Sequence, residues 1–468
     1  MSLCRPRRHR HPGRDVLVLA VAIAVAFATT ISTGTARAQS PTAGCAAANR
    51  PLAAPRSDRP VYDLRVDIRP AEQRAAGTVA VRFTPDRPTD RLVFRLWANH
   101  PVRSAPADRE TVSSVTLDGR PATAQLTDPT TLVVALPAPA VPGQVIEAVV
   151  TWQLSLVGWH GDRISSTGSG RNAAVRLGSF FPILAWEPGH GWLVDPPIHQ
   201  RTETSTTPTA DFTTTVTVPD GLSVLATGVA DEDGRTFRAT AVRDVAVSAG
   251  RFTLATGVAR APGPVQVTVG VEAGLGDDPQ AYVRRVVSAL ESQSRRFGAY
   301  PWPQYSLALT PDLKGGIEYP MHVMQGPNSI GRSTPHEVGH MWFYGLVGNN
   351  QAVDPWLDEG LATWAEVRSE GTLTAFLAKS VPSEGKGRLG APMSYWDVRS
   401  AAYYRSVYVQ GTHALAALGS PALVDCGLRA YVAANAYGIA HPSDLVKAFE
   451  EFVPDTADRL ARFGVSVN

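Results

Sequence analysis

Between about Arg59 and Gly257 the chain alternates apolar and polar residues with a period of two. In "VYDLRVDIR", Tyr62, Leu64, Val66 and Ile68 alternate with Asp63, Arg65, Asp67 and Arg69, which turns one face of a strand to a core and the other to water. The runs "TVAVRF", "DRLVFRLW", "TLVVAL", "VIEAVVTWQL", "DFTTTVTV" and "GRFTLATG" are short, rich in Val and Thr, and bounded by Gly, Pro or Asp, so they predict an antiparallel β-sheet domain over 59–260. Within it "ISSTGSGRN", 164 to 172, reads as a surface loop. The period lengthens after Pro264. "VQVTVGVEA" still reads as a strand, but Val283, Val286, Leu290 and Phe297 form a helical stripe that Gly298 and Pro301 end. "YSLALTP" alternates once more before helical signals dominate to the C-terminus. The expected fold class is α+β multidomain, an N-terminal antiparallel sheet followed by a mixed α/β domain over 261–468.

Length and composition agree with that picture. The chain has 468 residues, 44% of them apolar, enough for two or three cored domains. Its 40 Gly and 37 Pro punctuate the sequence without forming a low-complexity tract. The N-terminus is a separate matter. A basic head "RPRRHRHPGR", an apolar stretch "VLVLAVAIAVAF" and small residues in "ARA" before Gln39 predict an export signal over 1–38, with 39–58 as a linker. The segment through Ala38 carries six Arg and one Asp, so its removal takes the formal net charge from +2 to −3. No basic surplus then points to nucleic acid, and no stable membrane association is expected. Of Cys4, Cys45 and Cys426, the last two remain after cleavage, and in an exported chain they could pair as a disulfide or stay as two free thiols.

The chemistry concentrates in "STPHEVGHMWF". Thr334 reads as a helix cap, Pro335 as the first helical residue, and Glu337 as the acid of a capping box. The cap accounts for Glu337 but leaves the histidines unexplained. His336 and His340 lie one turn apart on one helix face, where two neutral imidazoles can hold one zinc ion. A catalytic zinc takes a third protein ligand and keeps a fourth position open. "DPWLDEGLATWAE" supplies it: Asp354 and Pro355 read as a second helix start, and Glu359 follows His340 after eighteen residues, enough for the chain to turn back. Asp358 and Glu366 are further carboxylates on the same segment, read as solvated or as supports for the ligands.

His336-Glu337-x-x-His340 with Glu359 inside "WLDEGLA" resembles the metal motif of the gluzincin zinc aminopeptidases, the family of aminopeptidase N and the leukotriene-hydrolysing aminopeptidase. "GGIEYP", 315 to 320, after "YPWPQYSLALTPDL", is similar to the family's Gly-x-Met-Glu-Asn segment, with Ile317 in place of Met and Tyr319 in place of Asn. "VYVQGTHALAAL" resembles its Tyr-x-x-Gly helix. The likeness runs from about Asp58 to about Gly419. It implies a saddle-like β domain before a thermolysin-like catalytic domain, and one Zn2+ per chain on His336, His340 and Glu359. Glu337 would be the general base, and Tyr408 the donor to the oxyanion, with Tyr403 and Tyr404 as rivals. Glu318 would pair with the substrate's free α-ammonium, on an edge where Gly315 and Gly316 let a peptide backbone lie alongside. Glu187, in "GSFFPILAWEPGHGW", is the candidate for the further carboxylate or amide that the family's β domain offers to that amine. The large helical C-terminal domain of many members has no counterpart in this sequence, which implies a more open cleft. The expected function is an exported zinc aminopeptidase acting on peptides. The alternatives are a zinc endopeptidase or other amide hydrolase with the same site, and an inactive secreted binding protein on a peptidase scaffold.

Overall fold

A computed structural model of the chain describes residues 48–101, 109–158, 163–168, 173–199 and 206–467. The expected export signal lies outside them. Alternation becomes pairing as expected at the first strand. Tyr62, Leu64, Val66 and Ile68 are at most 2% exposed, and Val61–Arg69 pairs antiparallel with Arg74–Phe83 over its whole length. Its other neighbour, Ala210–Thr217, runs parallel to it, so the eight-stranded sheet of this region is not purely antiparallel. Two four-stranded sheets and the two-stranded pair Trp186–Glu187 with Gly191–Trp192 complete the β region among the described residues.

Two boundaries differ from the sequence expectation. Of the loop expected over 164–172, 169–172 lie outside the described residues, and 164–167 are not an open loop: Ser165–Thr167 is a strand paired with Ala174–Gly178, and Ile164, Ser165 and Ser166 are buried. Glycine and serine content suggested a loop, yet small side chains also suit a strand packed under another sheet. The domain boundary expected at 260 falls inside a hairpin. Phe252–Arg260, read as part of the β domain, pairs residue for residue with Pro264–Glu272 as the outer strand of a five-stranded sheet. That sheet continues through Gln304–Leu309 and His322–Gln325 to Gly316–Tyr319 at its far edge, and the edge strand is antiparallel to its neighbour.

Helices cover this second sheet. Pro279–Phe297 is capped by Asp278, whose carboxylate accepts from the Gln280 N–H, and it stops at Gly298 with φ 106°. The predicted stripe of Val283, Val286, Leu290 and Phe297 is buried. From that helix Gln293 donates to the carbonyl of Pro335 at 2.7 Å, fixing the short helix Ser333–Gly339. Trp356–Glu370 packs against it, with Trp356 and Trp364 fully buried. Trp364 donates to Asp425 at 2.9 Å, which ties that helix to Pro421–Asn435.

Buried arginines join the β region to the part of the chain that follows it. Arg243 donates to the carbonyls of Thr207 and Gly438, at 2.9 Å each, and of Gly345 at 3.3 Å. Gly348 leaves it room, since a Cβ there would stand 2.3 Å from its guanidinium. Arg176 forks onto Asp312, with Nη2 donating to Oδ2 at 3.1 Å. Cys426 is disulfide-bonded; Cys45, the candidate partner from the sequence, lies outside the described residues. Just after that position Ala53 N–H donates to Ala433 O, on the helix that carries Cys426.

Candidate active site

Three elements meet in a cleft of about 490 Å³: the histidine helix Ser333–Gly339, the glutamate helix Trp356–Glu370, and the edge strand Gly316–Tyr319. Thr334 is not the cap of the histidine helix. The helix begins at Ser333 without a side-chain cap, and the Thr334 hydroxyl donates to Gln325 Oε1 at 3.2 Å. Glu337 is therefore free of the capping box; its carboxylate is buried and lines the cleft.

The expected ligand set converges. His336 Nε2 is 3.1 Å from His340 Nε2 and 3.2 Å from Glu359 Oε2, and His340 Nε2 is 3.4 Å from that same oxygen. Donors on a tetrahedral zinc, at bonds of about 2.0–2.1 Å, stand about 3.3 Å apart, so these atoms fit one such ion. The far side of each ring faces a carboxylate, by a hydrogen bond at His340 and by an ion-pair contact without hydrogen-bond geometry at His336. Asp358 Oδ1 lies 2.6 Å from His340 Nδ1, and Glu366 Oε2 lies 3.2 Å from His336 Nδ1. A proton on each Nδ1 leaves each Nε2 lone pair aimed at the shared point. The supports are supported in turn: Gln351 donates to Asp358, and Arg332 donates to Glu366 at 2.8 Å.

Electrostatics point the same way. Burial pushes the Glu359 carboxyl up, but the hydrogen bonds and charges of His336 and His340 outweigh it and hold it well below the carboxylate range. Burial lowers His336, yet Glu359 and Glu366 overcome that and raise it to about 9. Carboxylates thus draw positive charge onto the imidazoles, and a cation between them would take that role. Burial raises Glu337, against His336 and His340. It also pushes Glu318 up to about 8, with His340 opposing and Asp358, Glu337 and Glu359 adding. Glu337 Oε2 and Glu318 Oε1 are buried without a hydrogen-bond partner, orphans that a bound cation or substrate group would satisfy.

Tyr408 sits in a π-helical turn, Arg405–Val409, that runs into the helix Gln410–Ala416. Its hydroxyl donates to Glu359 Oε1, and its ring stacks on His336 at 5.7 Å between centroids. Burial, then Glu359 and Tyr403, raise its pKa well above the usual value, so it stays a proton donor. Tyr403 and Tyr404 also line the cleft; of the three, Tyr408 is the one bonded to Glu359. The Gly of the Tyr-x-x-Gly segment has a packing reason. Gly411 lies against Gly360 of the glutamate helix, where a Cβ would come within 2.8 Å of Gly360 Cα.

Gly316 likewise answers to its neighbour, for a Cβ there would stand 2.4 Å from the Glu337 side chain. At Gly315 the same construction meets nothing within 4 Å. Tyr319 is anchored on the β region: its hydroxyl is 3.0 Å from Ser179 Oγ, which donates to Asp244 at 2.9 Å. Glu187 is not among the cleft residues; it pairs with His190 and His441 instead. Gln351 and Arg332 escaped the sequence reading, because nothing in their spacing marks an outer support.

No family model matches the chain. Among curated proteins, leukotriene A-4 hydrolase of Xenopus laevis is 34% identical over 84 residues, 16% of this chain and 14% of that protein. Human aminopeptidase B is 32% identical over 87 residues, 17% of this chain and 13% of that protein. The chain thus spans about one seventh of the length of these curated relatives. Solved structures align far more fully. The M1 zinc metallopeptidase from Deinococcus radiodurans superposes with a TM-score of 0.63 at 20% identity, over 88% of this chain and 95% of that one. A variant of that protein bound to a Tyr-Ser-Ala substrate gives 0.64 at 21% identity over the same shares. The fold is therefore that of the M1 zinc metallopeptidases, and the local sequence likeness to aminopeptidase B and leukotriene A-4 hydrolase supports the same gluzincin family.

Proposed function

We propose that the chain is a zinc aminopeptidase that works outside the cytoplasm on peptides with a free N-terminus. The observation that carries this is the buried Glu318, on an open sheet edge beside the converging His336, His340 and Glu359. A zinc ion held by those three would polarise the scissile carbonyl and acidify the attacking water. Glu337, with one oxygen unpartnered, takes the proton of that water and returns it to the leaving amine. Tyr408 turns its hydroxyl from Glu359 to the developing oxyanion, where one such donor is worth about 3 kcal/mol. Glu318 pairs with the α-ammonium, and the free edge of Gly316–Tyr319 offers backbone groups to the peptide.

Export rests on the N-terminal sequence pattern and is supported by the half-cystine at Cys426, since disulfides persist in oxidising compartments. Among the described residues no helix is long and apolar enough to cross a membrane. The test is a panel of fluorogenic aminoacyl amides, free and N-acetylated, run with chelator and then with zinc restored. Free substrates are expected to be cleaved in a chelator-sensitive way and acetylated ones refused. Equal cleavage of both would replace the aminopeptidase reading with an endopeptidase one, and no zinc-dependent cleavage at all would leave a binding protein.

A further inference from the structure

A second cluster of ligating side chains lies outside the cleft. The strands Trp186–Glu187 and Gly191–Trp192 are joined by Glu187-Pro188-Gly189-His190. Pro at the second position and Gly189 at φ 82° suit a type II turn, closed by His190 N–H on Glu187 O at 3.0 Å. Such a turn holds its first and fourth residues side by side, and Glu187 Oε1 lies 3.0 Å from His190 Nδ1. The third member comes from far along the chain. His441, at the N-cap of the helix Pro442–Glu450, places Nε2 2.7 Å from that same oxygen.

All three donor atoms lie within 4.8 Å of one another. The Glu187 side chain is 4% exposed and that of His190 63%, so protein closes one side and solvent reaches the other. The charge around them is negative. Asp354 and Asp444 act on His441 together with Glu187, while Arg87 is engaged with the Gly189 carbonyl in the turn itself. Two imidazoles and a carboxylate oxygen, the Glu187–His190 pair preset by a Pro-Gly turn, form a donor set for zinc or a similar transition metal, which would displace the Nε2 proton of His441, whose ring also accepts from the Asp444 N–H; magnesium and calcium favour all-oxygen sites.

We propose that Glu187, His190 and His441 form a second, non-catalytic site for a divalent transition metal, with zinc the first choice. The ion would clamp the hairpin at 186–192 to the helix at 442–450, and the open side would be filled by water. This inference stands apart from the reading of the cleft, and the experiment keeps the two separate. Chelator-stripped protein is dialysed against Zn2+, and bound zinc per chain is measured for the wild type, H190A, E187Q and H336A. The wild type is expected to hold one equivalent more than H190A or E187Q, and added zinc should raise its Tm further than theirs. H190A should keep its chelator-sensitive peptidase activity. Equal zinc content in the wild type, H190A and E187Q overturns the second site and leaves a hydrogen-bonded His-Glu-His cluster. A zinc content unchanged in H336A would count against the cleft ligands instead.

Discussion

Glu337 shows how one residue reads differently at each level. In sequence it satisfies a capping box; in the structure it caps nothing, and it lies buried at the cleft with an orphan oxygen. Its proposed role as base gives a prediction that separates chemistry from metal binding. Glu337→Gln is nearly isosteric and leaves the three converging donor atoms in place, so zinc content by elemental analysis should match the wild type. Turnover should fall about 10²–10⁴-fold, the usual contribution of a positioned acid-base group. A variant with full activity would remove Glu337 from the role of base. Gly316 follows the same logic from the other side, since its missing side chain is the space that Glu337 fills.

At the scale of elements, the site depends on how closely two helices approach. Gly360 on the glutamate helix faces Gly411 on the helix behind Tyr408, and this contact brings the tyrosine hydroxyl onto Glu359. Replacing Gly411 by Ala has two opposed effects. Helix propensity favours Ala by about 1 kcal/mol, but its Cβ would stand 2.8 Å from a backbone atom. Overpacking of that kind costs about 1–3 kcal/mol, so the clash should win. G411A is expected to lower Tm and to reduce kcat by displacing Tyr408. An unchanged Tm together with unchanged kcat would show that the helices have slack.

Across the whole molecule, the seam between the β region and the five-stranded sheet should respond to pH. Burial raises the Asp312 carboxyl, but the Arg176 hydrogen bond and charge, with the hydroxyls of Ser165 and Thr310, outweigh it and hold it far below the ordinary carboxylate range. A carboxylate depressed in the folded state stabilises it above the unfolded pKa of about 3.9, and that share is lost as pH falls. D312N should therefore be less stable than the wild type at pH 7, with the gap in urea midpoint narrowing below about pH 4. A gap that stays constant with pH would mean that Asp312 acts through shape alone. Glu272 nearby has the opposite sign, raised to about 7 chiefly by burial, so the comparison is made between the two proteins rather than from the wild type by itself.

The sequence by itself determined the elements and the identity of the groups that could do chemistry. Period-two and helical stripes carried the strands at 61–69 and 304–309 and the helix at 279–297, because burial of one face is a local, repeating demand. The spacing of His336, His340 and Glu359 carried the donor set, since helix geometry turns a four-residue offset into one face. Tertiary structure alone decided the rest. It made 165–167 a strand, sent 252–260 into the second sheet, and placed Gln351 and Arg332 behind the ligand supports. It also moved Glu187 away from the cleft and beside His441, a residue 254 positions along the chain. Contacts between distant segments are set by how faces pack, and no local period or spacing records them.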